Sequence, residues 1–236
     1  MIGRMRLVLP EPAADVPLDE LYGVPRARRA DRPWVGLCMI TSLDGSTVVD
    51  GRSGALGSPT DTAVLGALRR AADVIIVGAA TVRQEGYGPP RKPGQRIGVV
   101  TSTGDVDPGS TLFASGAGFL IMPEDGPRAP SGSSGRLDVV RAGLGRVDVP
   151  LALRRLDELI DPPAFVQAEG GPRLNGSLLD ADCVDELDLT ASPVLVGGDG
   201  PRLSVGARAM MARFELAHLG IDDESFCYSR WIRRRG

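Results

Sequence analysis

Three short apolar runs in this chain end in polar, glycine-containing turns, two of which lead directly into a helix start. This repeated junction constrains the fold more than any other feature. The runs cover residues 34–40, 74–77 and 165–168. Each is short and almost continuously apolar, which is typical of a strand buried on both faces of a sheet. Strands that alternate with helices predict a single α/β domain with a central mixed, mostly parallel sheet flanked by helices.

The pattern also predicts where the elements of this domain begin and end. Ser58, Pro59 and Asp61 have the chemistry of an N-cap, a first helical position and an acidic third position. Residues 214–221 and 225–232 predict an antiparallel C-terminal hairpin that closes the sheet. Residues 1–32 are weakly patterned, and we expect an N-terminal extension that lies across the domain or joins a dimer contact. Residues 33–236 then form the domain itself.

The composition excludes several classes of function. The net charge of −3 favours neither a nucleic-acid partner nor an anionic membrane, and no apolar run is long enough to span a bilayer. Cys38, Cys183 and Cys227 are far apart and odd in number, whereas a disulfide framework or a zinc site needs closely spaced pairs. We therefore expect structural thiols, no metal and a cytoplasmic location.

The turn after the first run, at residues 41–45, places Asp44 at a strand end, where ligands of open α/β sheets bind. A carboxylate there can meet the donors of a ligand. The alternative is that Asp44 only caps the turn while Gly45 supplies a positive φ. The residues themselves leave both interpretations open.

The other two turns are candidate anion sites. Gly78 ends the second run and leads into a helix, which leaves backbone N–H groups and a positive dipole end available. Gly170 and Gly171 do the same before Pro172, and without Cβ atoms they let a phosphate approach the backbone closely. Glu169 stands just before this turn. The alternative is a tight structural turn with a surface glutamate.

Sequence patterns for a protein-borne nucleophile or metal are missing. The only histidine, His218, falls in the predicted hairpin, where a surface or half-buried side chain is expected. No P-loop, nucleophile elbow or zinc-deaminase signature occurs. Phosphate-binding turns without such groups favour a cofactor that carries the chemistry itself, such as a nicotinamide that transfers hydride.

Six motifs occur in an order and at separations that resemble one enzyme family. They are Ser42-Leu-Asp-Gly45, the Ser58-Pro59 helix start, Ala72-Asp-Val-Ile-Ile-Val-Gly78 with Thr81-Val82, Glu169-Gly-Gly-Pro172, Val184-Asp-Glu-Leu187, and Ala191-Ser-Pro193 with Val196-Gly-Gly198. Over roughly residues 33–231 the chain resembles the C-terminal reductase domain of the riboflavin-biosynthesis deaminase–reductase. The fold of that domain is similar to dihydrofolate reductase.

The resemblance implies reduction of 5-amino-6-(5-phospho-ribosylamino)uracil to the ribitylamino compound, with NADPH giving hydride to the ribose C1′. Asp44 would border both ligands and is the catalytic candidate. With the glycine turns included, the expected cofactor-binding residues are Ala55, Gly78, Thr81, Glu85, Gly170, Gly171, Pro172, Arg173 and Leu174. The expected substrate-binding residues are Ser53, Arg69, Arg91 and Glu169. Arg69 suits this role because a guanidinium offers two parallel donors to a phosphate or a pyrimidine oxygen.

The chain departs from the family pattern at Glu85-Gly-Tyr, where an Asp-Asp-Pro motif is common. It lacks the deaminase half, so a separate deaminase is expected in the pathway, and the family suggests a homodimer. Two alternatives remain open: a reductase of a folate, pterin or other heterocycle on the same fold, and a protein that binds NADPH without reducing anything.

Overall fold

The computed structural model describes residues 5–132 and 135–235 and shows an α/β fold built on one large sheet. Thirteen strands and six α-helices alternate along these residues. The strands are β1 (Met5–Leu9), β2 (Ala13–Ala14), β3 (Trp34–Thr41), β4 (Val74–Gly78), β5 (Arg96–Val100), β6 (Gly118–Met122), β7 (Ser131–Gly132), β8 (Gly135–Arg136), β9 (Val139–Arg141), β10 (Phe165–Ala168), β11 (Glu186–Ala191), β12 (Phe214–Asp222) and β13 (Cys227–Arg233). The helices are α1 (Leu18–Tyr22), α2 (Pro59–Ala71), α3 (Ala79–Glu85), α4 (Thr111–Ala114), α5 (Val149–Arg154) and α6 (Pro172–Asp180).

The main sheet has eleven strands in the order β2-β1-β12-β13-β11-β3-β10-β4-β5-β6-β9. The strands from β11 to β9 all run parallel to their neighbours. The strands from β13 to β2 are antiparallel. This arrangement confirms the predicted mixed, mostly parallel sheet with an antiparallel C-terminal hairpin. Parallel strands buried on both faces explain why the apolar runs of the sequence are continuous.

The first helix-start signal is confirmed in detail. Ser58 is the N-cap of α2, and its side chain accepts a hydrogen bond from the Asp61 backbone N–H, while Pro59 occupies the first turn. The core lies in three clusters of buried apolar side chains, one of which includes residues of α5 and α6, another residues of α3 and α4, and the third residues of α1 and α2. Helices therefore contribute to each of these core clusters.

The N-terminal segment contributes directly to this sheet. β1 pairs with β12, and Tyr22 of α1 lies in the same buried cluster as residues of α2. As a result, β12 is an interior strand, and the expectation of a surface or half-buried His218 is wrong. Its side chain is buried, with the Tyr22 ring edge-on at a centroid distance of 4.9 Å. No helix in the described ranges is both long enough and apolar enough to cross a membrane.

Candidate functional site

A cleft of about 360 Å³ opens at the carboxyl ends of β3, β10 and β4, between α2 on one side and α3 with the start of α6 on the other. This is where ligands bind on open α/β sheets. Polar and apolar side chains both line it: Cys38, Met39, Ile40, Thr47, Val48, Ser53, Asp61, Leu65, Arg69, Thr81, Gln84, Glu85, Gly86, Tyr87, Gly88, Glu169, Gly171 and Pro172.

One wall of the cleft carries a partly buried ion pair between α2 and the residue that follows β10. The Arg69 guanidinium donates from Nε to Glu169 Oε1 at 2.7 Å and from Nη2 to Oε2 at 2.6 Å. The third guanidinium nitrogen, Nη1, makes no hydrogen bond within the described residues. Arg69 therefore keeps a free donor for a ligand while its position is fixed by two bonds.

Two further side chains complete the surroundings of Glu169. The Tyr87 hydroxyl donates to Oε2 at 2.7 Å, and Gln167 Nε2 donates to Oε1 at 2.9 Å. Burial, together with the neighbouring Glu169 charge, raises the pKa of Tyr87 well above its usual value. Burial works against the charge of Arg69, but its hydrogen bonds to Glu169 outweigh that effect and raise its pKa. At neutral pH this wall thus presents a protonated tyrosine and a charged arginine.

The part of the lining that follows Glu169 along the chain is made of backbone. The Gly170–Gly171 peptide bond is cis, Gly170 has φ +77°, and its carbonyl accepts from the Gly78 N–H at 2.7 Å. The two glycine turns are therefore in direct contact, and the N–H of Gly78 itself is occupied. A Cβ on Gly171 would lie 2.8 Å from the Thr81 hydroxyl oxygen, closer than real Cβ atoms approach. A larger residue at this position would therefore require a shift of the Thr81 side chain or of the turn.

Helix α6 begins at this turn and supplies free donors. Its first intrahelical hydrogen bond runs from the Asn175 N–H to the Gly171 carbonyl. The N–H groups of Arg173 and Leu174 come before that bond, so they lack intrahelical acceptors, and Pro172 has no N–H. Two backbone donors and a positive dipole end next to a turn without Cβ atoms form a cradle that fits a phosphate. The structure therefore fits a dinucleotide cofactor held here.

Ser53 and Glu85 were predicted to contact different ligands, and the structure brings them together at the cleft. Glu85 Oε1 accepts hydrogen bonds from the Ser53 backbone N–H at 2.8 Å and from its hydroxyl at 3.0 Å. This bridge joins the loop after β3 to the end of α3. Both residues therefore lie at the same point of the cleft lining.

Asp44 lies outside the lining of the cleft. Its carboxylate accepts from the Ser42 hydroxyl at 2.5 Å, the Gly197 N–H at 2.7 Å and the Val196 N–H at 3.2 Å. These bonds, led by that of Ser42, lower the pKa of Asp44 to about 2. Gly45 has φ +88°, as the turn interpretation requires. The geometry favours the structural alternative, in which Asp44 holds two loops together, over the catalytic role predicted for it.

The remaining predicted residues are distributed unevenly. Five of them lie in the cleft lining: Arg69, Thr81, Glu169, Gly171 and Pro172. Ala55 and Arg91 are exposed and do not line the cleft. The side chain of Arg173 lines a separate cavity beside α5, and that of Leu174 belongs to the core. At this turn, the donors that these two residues offer are their backbone N–H groups.

Asp61, Tyr87 and Gln167 also belong to the site and were not among the residues predicted for it. Gln167 had a signal, since it is a polar residue inside an otherwise apolar strand. The sequence also contains a signal for Asp61: it stands four residues before Leu65 and eight before Arg69, which places all three on one helix face. Asp61 was explained by its capping position alone. Nothing in the local pattern singled out Tyr87.

A model of one protein family matches residues 33–228, and the family is described as the RibD C-terminal domain. Among curated proteins, the chain is 30% identical over 193 residues to the 2,5-diamino-6-ribosylamino-4(3H)-pyrimidinone 5′-phosphate reductase of Methanothermobacter thermautotrophicus. That match covers 74% of the chain and 84% of the archaeal protein.

Two further comparisons extend this result. The chain is 28% identical to the riboflavin biosynthesis protein RibD of Mycobacterium tuberculosis over 81% of its own residues, but it spans only about half (50%) of that protein's length. Among solved structures, a pyrimidine reductase-like protein from Corynebacterium diphtheriae superimposes with a TM-score of 0.78. The superposition covers 94% of this chain and 100% of the other at 23% identity, which shows a shared fold.

Proposed function

We propose, from the premise that this chain belongs to the RibD C-terminal domain family and is a reductase of the riboflavin pathway, that NADPH is its hydride donor. Its substrate would be a 5-amino-6-(5-phosphoribosylamino)pyrimidin-4-one, of which the predicted uracil compound is one form. The observation that carries this proposal is a single cleft that brings together a backbone cradle for phosphate and the fixed guanidinium of Arg69.

The cradle accounts for cofactor binding. The pyrophosphate would accept from the free N–H groups of Arg173 and Leu174, with Gly171 allowing close approach and Thr81 facing the same turn. When bound there, NADPH supplies the hydride that reduces C1′ of the opened ribosylamine. The fit concerns a dinucleotide phosphate in general, and the choice of NADPH over NADH comes from the family resemblance.

The protein's own residues position the substrate. Arg69 Nη1 is the free donor for a phosphate or a ring oxygen, and Glu169 holds the guanidinium in place through the other two nitrogens. Tyr87 braces the same carboxylate and its ring lies under the guanidinium, 5.4 Å from the carbon of that group. Glu169 accepts four hydrogen bonds, so its role is to position Arg69 and Tyr87 in the cleft.

An NADPH-oxidation assay with the enzymatically prepared phosphoribosylaminopyrimidine tests the proposal. We expect turnover that depends on this substrate and a ribitylamino product. Turnover of a dihydropterin alone would indicate a different heterocycle reductase. Tight NADPH binding without hydride transfer to any pyrimidine would indicate a protein that only binds the cofactor.

Arg69→Ala distinguishes substrate binding from cofactor binding. Because Arg69 is proposed to contact the substrate, the variant should raise KM for the pyrimidine much more than it raises the Kd for NADPH. Equal losses for both ligands would show that Arg69 lies elsewhere relative to them.

A further inference from the structure

The substrate wall of the cleft contains a carboxylate that the positioning network does not use. Asp61, on the first turn of α2, lines the cleft with Leu65 and Arg69. Within residues 5–132 and 135–235, no arginine, lysine or histidine forms an ion pair with Asp61. Burial raises the pKa of Asp61, and a hydrogen bond from the Thr190 side chain only partly opposes this. A carboxylate has about four acceptor positions, so Asp61 keeps acceptor capacity for the donors of a ligand.

The spacing on α2 shows which part of a ligand would meet Asp61. Asp61, Leu65 and Arg69 follow each other at intervals of four residues, so they share one face of the helix. Eight residues at a rise of about 1.5 Å separate Asp61 from Arg69 by about 12 Å along the helix axis. One face therefore presents an anion, an apolar centre and a cation in line. A molecule with hydrogen-bond donors at one end and a phosphate at the other matches that order.

The pyrimidines of the proposed function differ at the edge that would reach Asp61. In a 2-aminopyrimidin-4-one, the ring N3–H and the 2-amino group are adjacent donors, and a carboxylate can accept both at once. In the uracil form, an oxygen replaces the amino group and would face the carboxylate with a second acceptor. The archaeal relative is named for the 2-amino compound.

We propose that Asp61 is a specificity-determining residue that binds the N3–H and 2-amino edge of the pyrimidine, so that this reductase prefers the 2-amino substrate to the uracil form. The inference rests on the proposed function and refines it. It places reduction before any step that replaces the 2-amino group by oxygen.

The test measures kcat/KM for both pyrimidines with the full chain and with Asp61→Asn. The native protein should prefer the 2-amino substrate by about 10- to 100-fold, which is the effect of losing a hydrogen bond to a charged group. An asparagine can accept from N3–H and donate to the neighbouring oxygen, so Asp61→Asn should shift the ratio of the two kcat/KM values toward the uracil form by a similar factor. Asp157→Asn makes the same chemical change on the surface and should leave the ratio unchanged.

The ratio distinguishes recognition from a structural role, since a damaged helix start would lower both kcat/KM values together. Asp61→Ala removes the acceptor and adds no donor, so it should lower kcat/KM for the 2-amino substrate. It replaces the asparagine variant in the test if that variant folds poorly. A native preference for the uracil form, or a ratio that neither variant changes, would overturn the role of Asp61 and leave the proposed function intact. Absence of turnover with both pyrimidines would instead overturn the proposed function, and the inference with it.

Discussion

Glu169 and Glu186 are both buried carboxylates that bind arginine through paired hydrogen bonds, but they lie in different surroundings. Glu186 on β11 accepts from Arg26, from Trp34 and from Arg230, and its side chain is fully buried. Glu169 accepts from Arg69, Tyr87 and Gln167 at the edge of the cleft. Arg26 is 2% exposed, whereas Arg69 is 33% exposed.

The difference lies in the partners more than in the carboxylates. The donors around Glu186 come from the N-terminal segment, from β3 and from β13, so this carboxylate ties distant parts of the chain into one sheet. The donors around Glu169 include an arginine with one nitrogen still free beside an open cleft. The same pair is structural where the guanidinium is enclosed and can bind a ligand where it is left partly open.

The largest expected effect is on stability, from Glu186→Gln. The amide leaves Arg26 and Arg230 buried without their counter-charge, and loss of one partner of a buried ion pair costs about 3–5 kcal/mol. The free energy of unfolding, measured by urea titration, should fall by that amount. Glu215→Gln removes the exposed partner of Arg234 and should cost less than about 1 kcal/mol. Similar small losses in both variants would contradict the structural role of Glu186.

The surroundings of Glu186 also predict a pH effect through His218. Burial, and next the charge of Arg230, lower the pKa of His218 to about 4 from its usual 6.5. The folded state therefore keeps the ring neutral, while the unfolded chain takes up a proton below pH about 6.5. The neutral, buried His218 therefore makes its full contribution to the free energy of unfolding above that pH. As the pH falls toward 4, this contribution decreases by up to about 3 kcal/mol.

Urea titrations between pH 4 and pH 7 check this effect. His218→Phe keeps a ring against Tyr22 and removes the titrating group, so its stability should fall less steeply over that range. Identical slopes for the variant and the native protein would show that the imidazole does not titrate in this way.

On the cleft side, Gly171→Ala should weaken cofactor binding. The added Cβ would lie 2.8 Å from the Thr81 oxygen, so the turn or the Thr81 side chain that faces it must move, and either change disturbs the cradle. We expect the Kd for NADPH to rise about 10- to 100-fold, or about 1.4–2.8 kcal/mol. Gly66→Ala is a matched control on α2, where a Cβ meets only the end of the Arg70 side chain at 3.4 Å. An unchanged Kd for NADPH in Gly171→Ala would show that the cradle does not bind the cofactor.

Local elements of the fold were easier to predict from the sequence than the ion pairs of Glu169 and Glu186. The glycine turns, the start of α2 and the three buried strands follow local rules of φ, capping and periodicity, and the structure confirms them. The pairing of Arg69 with Glu169 joins residues one hundred positions apart, and no local pattern encodes it. The resemblance indicated both residues as substrate ligands, but it did not indicate that they bind each other.

The Glu186 cluster was missed for a related reason. Residues 1–32 have weak periodicity, because β1 is short, β2 has only two residues and the segment is anchored by Arg26 and Arg32. Ion pairs with β11 and the preceding turn hold this segment, and such pairs need no periodic pattern. For the same reason His218 was expected near the surface: its burial depends on the strand that this segment adds.

A smaller effect on activity is expected from Tyr87→Phe. The phenyl ring stays beside Arg69, but Glu169 loses one of its four donors. A hydrogen bond to a charged group is worth about 1.5–3 kcal/mol. Because Tyr87 acts on the substrate only through Glu169, we expect part of this, about 1–1.5 kcal/mol or roughly 5- to 10-fold in kcat/KM. If Glu169 positions Arg69, KM for the pyrimidine should rise while the Kd for NADPH stays unchanged. A loss confined to thermal stability would show that Tyr87 belongs to the structural class, with Glu186.

The smallest effect is expected from Asp44→Asn, although the family resemblance makes Asp44 the catalytic candidate. Its pKa of about 2 leaves the group without a proton to donate at neutral pH, and all its recorded donors belong to the loops that it joins. A general acid or base contributes about 100- to 10,000-fold to a rate. A residue that only joins two loops should change kcat by less than about threefold. Steady-state kcat at saturating pyrimidine and NADPH decides between them, since a hundredfold loss in a folded Asp44→Asn variant would return Asp44 to the reaction and extend the functional side of the molecule beyond the cleft.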